Sequence, residues 1–161
     1  MTDRIIANLT RQKLTLELLG KLQAEEISHL MDLNPTAVSS IELSIQELLR
    51  QLMAERDELR AMTRSIDPDA RRLAQILDTM DDAKRKTVNI LLCDIDRMEQ
   101  ARAVQAEKNS RMAVALFEQS KSYVNFIQDK ITPKPPVYTR RGALGTYGPH
   151  SRAVGHTLGR T

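Results

Sequence analysis

Few residues in this chain stand at spacings that catalytic chemistry requires. His29 lies one helical turn after Glu25, with Glu26 adjacent, and an imidazole beside a carboxylate is the raw material of general acid–base work. At i,i+4 on a polar stretch it reads instead as a solvated surface pair. Cys93 stands beside Asp94 and Asp96 with no histidine near it, so no base is at hand to make a thiolate; it reads as a buried, inert thiol. Asp81 and Asp82 are adjacent, which on a helix sets them about 100° apart and prevents them from sharing a proton. Asp81/Arg85, Asp82/Lys86 and Glu107/Arg111 fit ordinary i,i+4 helix pairs. His150 and His156, without a nearby cysteine or carboxylate, fall short of a metal-ligand set. Gly142, Gly145 and Gly148 lack the Lys-Ser/Thr and the following helix of a phosphate loop. The expectation is a protein that is not an enzyme, with no metal, cofactor or small-molecule substrate.

The composition points to helices. Of 161 residues 41% are hydrophobic and 28% charged, with no Trp, three Tyr and two Phe. All the aromatics fall between Phe117 and Tyr147, so a core before that point must be built from Leu, Ile, Val, Ala and Met. Among six glycines and six prolines only Gly20, Pro35 and Pro68 precede Pro133, which leaves too little turn chemistry for an all-β or α/β fold. The longest uncharged apolar stretches, such as 88–93, are far shorter than the roughly 18 residues a membrane span needs. One cysteine and no signal-like segment fit a soluble cytoplasmic protein with no membrane insertion.

Charge divides the chain unevenly. From Lys130 onward the ionised side chains are Lys130, Lys134, Arg140, Arg141, Arg152 and Arg160, with no Asp or Glu, so a total of +3 leaves the preceding residues net acidic. This basic tail is low in apolar residues and rich in Gly and Pro, a composition expected to be disordered when free. Its cations admit a nucleic-acid reading, although they are sparse and the body opposes phosphate.

Punctuation marks three helices. The first runs from about Asp3 to Leu33, with Leu9, Leu16, Leu19, Ile27 and Leu30 near the helical period. Asn34-Pro35 supplies an N-cap and a first-turn proline for the second, which continues to about Ser65 on a stripe that includes Ile41, Ile45, Leu48, Leu52 and Leu59. The same device at Asp67-Pro68 predicts that a third helix starts there and runs to about Thr132 without a break. The expected fold is therefore all-α, in three parts: an antiparallel hairpin over 1–66, one long coiled-coil-like helix over 67–131, and a flexible tail over 132–161. The third helix would overhang the other two. Its apolar pattern fades over 99–111, then resumes at Met112, Leu116, Phe117, Tyr123, Val124 and Ile127. That second stripe can be a self-association seam, as in a homodimeric coiled-coil adaptor, or an open face for a partner helix, or it can fold back on its own bundle.

The runs at 18–33 (LLGKLQAEEISHLMDL) and 41–62 (IELSIQELLRQLMAERDELRAM) resemble the N-terminal helical hairpin of the FlgN-type flagellar export chaperones. The order of elements is similar too: a Leu/Glu-rich helix, a short break, a helix ending in Glu55, Arg56 and Leu59, a long third helix, and a Gly-rich tail with Thr146-Tyr147-Gly148-Pro149. The resemblance implies a cytosolic chaperone that binds the C-terminal helical segment of hook-associated (hook–filament junction) proteins and delivers them to the type III flagellar export gate. The unpartnered stripe of Met112, Leu116, Phe117, Tyr123, Val124 and Ile127 is the face on which that client helix is expected to pack. The resemblance also suggests that Tyr147, with Tyr138 as the competing anchor, docks on the cytosolic domain of the gate.

Overall fold

The computed structural model describes residues 1–131 together with the backbone of 137–138 and 144–145. Helix α1 spans Thr2–Met31, α2 Pro35–Ile66 and α3 Asp82–Ile131, with a 3-10 helix at Leu73–Thr79 between α2 and α3. Two-residue strands, β1 at Val137–Tyr138 and β2 at Leu144–Gly145, pair antiparallel. The protein is all-α in its described body. The disorder expected of the tail concerns residues that, these four apart, lie outside the described ones, as do Tyr147, His150 and His156.

The chain forms two compact units, Met1–Ser120 and Lys121–Thr161. In the first, α1 and α2 form a close antiparallel pair, while the α3 backbone stands further off and meets them through side chains. The core is aliphatic: Ile5, Leu9, Leu16 and Leu19 from α1, Leu52 and Met62 from α2, Val88 and Ile95 from α3. Cross-links between α1 and α3 run in step along the chain. Lys84 pairs with Asp3 at 2.9 Å, Lys13 with Asp94 at 2.8 Å, and Gln23 Nε2 donates to the Arg102 carbonyl at 3.0 Å. The two helices are therefore parallel, with α1 ending opposite the Asn109–Phe117 stretch of α3. In the second unit, residues 121–131 continue α3 and every one of them is exposed.

The first junction forms as its sequence predicts. The Asn34 side chain accepts a hydrogen bond from the Ala37 N–H at 3.2 Å, with Pro35 at the first helical position. Just before it, α1 ends in a left-handed residue. Leu33 has φ 53°, its N–H bonds to the Leu30 carbonyl at 3.1 Å, and the Asn34 N–H bonds to that of His29 at 3.0 Å. This is a Schellman closure built without glycine.

The second junction differs from expectation. No helix starts at Pro68; α3 begins at Asp82. Asp67 caps its own turn instead, its carboxylate accepting from the Asp69 N–H at 3.0 Å while its carbonyl accepts from the Ala70 N–H at 3.1 Å. Gln75 Oε1 then takes the N–H groups of Arg71 and Arg72, at 2.7 and 3.0 Å, which holds them extended ahead of the 3-10 turn. The apolar spacing from Leu73 to Met80 suits a three-residue period as well as a 3.6-residue one. Here it buries Ala70, Leu73, Ile76 and Met80 in the core cluster with Ile5 and Met62. Tertiary burial has overridden a helix-start signal.

Other expectations of detail are also revised. Cys93 is exposed rather than buried: it follows Leu91 and Leu92 but precedes the buried Ile95, so it falls on the outer face of α3. Arg85 pairs with Asp82 and Asp78, while only its backbone N–H bonds to Asp81, through the carbonyl at 2.8 Å. The Glu107–Arg111 pair forms at 2.7 Å, and His29 lies 3.8 Å from Glu25 on the same helix.

Candidate functional site

The expected partner-binding face can be followed residue by residue along α3. Met112 and Leu116 are half-buried and Phe117 is 65% exposed. All three belong to the first unit. In the second unit Tyr123, Val124 and Ile127 are 62%, 51% and 52% exposed. Phe126 and Ile131, which sequence patterning did not single out, are exposed there as well, and Lys130 Nζ lies 5.5 Å from the Phe126 ring centre. Large apolar side chains of this helix are thus left in contact with water.

Leu116 and Phe117 do not stand alone. They form one wall of a cavity of about 430 Å³ at the tip of the α1–α2 hairpin. Leu30 and Leu33 from the end of α1, and Pro35 and Val38 from the start of α2, form the opposite side. The hairpin turn thus acts as a lip, with the left-handed Leu33 aimed outward and 68% exposed. No reading of helical periodicity could have found this wall, because it depends on which turn of α1 lies beside Leu116.

A second cavity, of about 290 Å³, lies further along the same α2–α3 seam. Its α2 side is Ile45, Leu49, Leu52 and Arg56, and its α3 side is Glu99, Arg102, Ala103 and Ala106. On α2 the lining residues of the two cavities form one row, Val38, Glu42, Ile45, Leu49, Leu52 and Arg56, at alternating steps of three and four. That is the spacing of a helix-packing seam. The fading of the α3 pattern over 99–111 has its explanation here: Ala103 and Ala106 are too small to fill the space between the helices. An ion pair between Arg56 and Glu99 bridges the far end.

Between the cavities, α1 and α3 are joined by buried polar groups. Asn109, 2% exposed, donates from Nδ2 to the Gln23 carbonyl and to Glu26 Oε2, both at 2.7 Å, and accepts from Gln105 at 2.8 Å. A matching cluster toward the opposite end has Asn8 donating to Glu55 and Glu58, with Arg11 donating to both carboxylates. These hydrogen bonds fix the register of the helices. Among the described residues there is no group of three or more His, Cys, Asp or Glu side chains that could hold a metal ion, and no helix long and apolar enough to cross a membrane.

The geometry of the first unit is that of a three-helix body with an open apolar seam between α2 and α3. No curated protein and no solved structure gives a significant match to the chain. The family model described as FlgN protein matches residues 1–146, which takes in all three helices and both strands. The chain belongs to the FlgN family of flagellar export chaperones.

Proposed function

We propose that this chaperone holds the C-terminal helical segment of a hook-associated protein on the α3 face of Met112, Leu116, Phe117, Tyr123, Val124 and Ile127. It then delivers that client from the cytoplasm to the type III flagellar export gate. The observation that carries the reading is the exposure of large apolar side chains on α3, from Phe117 to Ile127. A client helix would bury them, and each fully buried side chain is worth roughly 1.5–3 kcal/mol. No bond is made or broken in such a role. Tyr147, flanked by Gly145, Thr146, Gly148 and Pro149, is the proposed contact with the cytosolic domain of the gate. A ring among residues without bulky side chains brings contact area with few rotors to freeze.

The test is titration of a hook-associated protein's C-terminal segment against wild type, Phe117→Asp and Leu116→Asp. Binding weakened tenfold or more with unchanged helical circular dichroism supports the reading. Normal binding by both variants overturns the assignment of the face, and dimerisation through the stripe without a client would favour a self-associating adaptor. For the tail, Tyr147→Ala should weaken binding to the gate domain and spare the client. A loss seen only in Tyr138→Ala would move the anchor upstream.

A further inference from the structure

The cavity midway along the α2–α3 seam has unmet polar groups in an otherwise apolar wall. Gln23, 4% exposed, leaves its Oε1 without a hydrogen-bond partner, and the buried Nε of Arg102 has none either. Arg102 makes no side-chain hydrogen bond or ion pair among the described residues, although Glu99 and Glu107 stand close to it on α3. Its neighbours are already committed: Glu99 pairs with Arg56, and Glu107 with Arg111. A half-buried guanidinium without a counter-ion is unusual in a fold, because a buried donor left unpaired is destabilising.

We propose that Arg102 is the counter-ion for a carboxylate carried on the apolar face of a bound helix, and that the mid-seam cavity receives that face. The inference rests on the reading that an amphipathic client segment docks along α3, and it adds the chemical class the seam selects. Three features specify the occupant. The cavity has Leu16, Leu19 and Gln23 of α1 as its floor, Ile45, Leu49 and Leu52 on the α2 wall and Ala103 and Ala106 on the antiparallel α3 wall, so a helix laid between α2 and α3 completes a four-helix arrangement. Ala103 and Ala106 leave room for its side chains. The row from Val38 to Arg56 spans about 27 Å at 1.5 Å per residue, the length of a helix of about five turns. Arg102 lies one turn from Glu99, which pairs with Arg56 at the end of that row, so the one free cation among the groups lining this cavity calls for one acidic residue about one turn from an end of that helix. An Arg–carboxylate contact shielded from water is directional and charge-assisted, so it sets specificity where the aliphatic walls cannot.

The experiment uses two synthetic amphipathic helices of about 18 residues, identical except for Glu or Gln on the Leu/Ala face. The Glu or Gln stands at the Leu/Ala-face positions one turn from each end, so that either orientation sets one beside Arg102, and both helices are titrated against the full-length wild type and Arg102→Met. The expected result is binding of the Glu helix at least tenfold tighter than the Gln helix by wild type, and no discrimination by Arg102→Met, whose thermal midpoint is unchanged or higher. Equal affinity of wild type for both helices, discrimination that persists in Arg102→Met, or failure of both to bind would overturn the proposal. A lower midpoint in Arg102→Met, with discrimination unchanged, would assign Arg102 to the fold alone. Phe117→Asp separates this inference from the client reading on which it rests. That variant should weaken both helices equally and keep their ratio, whereas a wrong client face would leave both affinities untouched.

Discussion

Arg102 on α3 lies against Gly20 on α1 so closely that a Cβ built on the glycine would fall 1.6 Å from Nη1 and 2.6 Å from Cζ. Gly20 is the only glycine before position 142, and in mid-helix it costs about 0.5–1 kcal/mol relative to Ala. The missing side chain is what admits the guanidinium. Gly20→Ala should therefore stabilise an Arg102→Ala background by about 0.5–1 kcal/mol, and wild type by less, since the guanidinium must move aside. A double-mutant cycle in urea measures the difference. Full additivity would show that the two residues do not share the space.

Leu33 holds the left-handed conformation that Gly usually occupies at a helix C-terminus, φ 53°, at a cost of about 1 kcal/mol for a residue with a Cβ. It also lines the hairpin-tip cavity opposite Leu116 and Phe117. Leu33→Gly should raise stability by about 0.5–1 kcal/mol and weaken client binding. Thermal melts and titrations on the same preparation check both halves. A variant that binds as well as wild type would remove the lip from the site.

The sequence made the helices and one of their two junctions legible, and for identifiable reasons. Asn34-Pro35 works locally, through a side chain that reaches its own first turn, so its meaning survives folding. Asp67-Pro68 offers the same letters, yet the burial of Leu73, Ile76 and Met80 under the bundle decides the outcome, and burial is not local. The exposed α3 residues Phe117, Tyr123, Val124 and Ile127 could be read from spacing because nothing in the preceding pattern was left to pair with them. The groove walls could not. That Ala103 lines one cavity with Leu49, or Leu116 another with Leu33, follows from a register set by Arg56–Glu99, Lys13–Asp94 and Gln23–Arg102, partners far apart in the chain. Gly20 was the one readable hint, an isolated glycine in a helical run that marks a close approach.

Asn109 should be the most sensitive polar position on α3. Its buried amide joins the Gln23 carbonyl to the half-buried Glu26 and Gln105. Asn109→Ala leaves Glu26 and Gln105 without this partner and should cost about 1–3 kcal/mol. Asn109→Asp sets a carboxylate against Glu26 and the Gln23 carbonyl, so it should be worse than Ala at neutral pH and recover in mild acid. Urea midpoints at two pH values measure this. An Ala variant of wild-type stability would mean that the network carries no weight in holding α3 to α1.

Acid should loosen the same body from its other polar cluster. Glu55 accepts hydrogen bonds from Arg11 Nε and Nη2, both at 2.7 Å, and this pairing holds its carboxyl below the usual glutamate value despite partial burial. Lys13 does the same for Asp94, and Lys84 for Asp3, in each case chiefly through the hydrogen bond. A carboxylate whose pKa is lower folded than unfolded binds fewer protons in the native state, so stability rises with pH across the interval between the two values. The contribution is complete above the ordinary carboxylate range, near pH 4–5, and is lost as pH falls through the lower native values. The thermal midpoint should thus be flat from pH 7 to about 5 and fall steeply below about 4. Glu55→Gln should lower the plateau and flatten the acid limb, because the variant has no proton to take up at that site. Asp57→Asn provides a control for the loss of one surface charge: its carboxylate is exposed and pairs with Arg60 one turn away on α2 at 2.7 Å. An acid limb as steep in Glu55→Gln as in wild type would place the titrating groups elsewhere, with the Asp94–Lys13 link between α1 and α3 the next to remove.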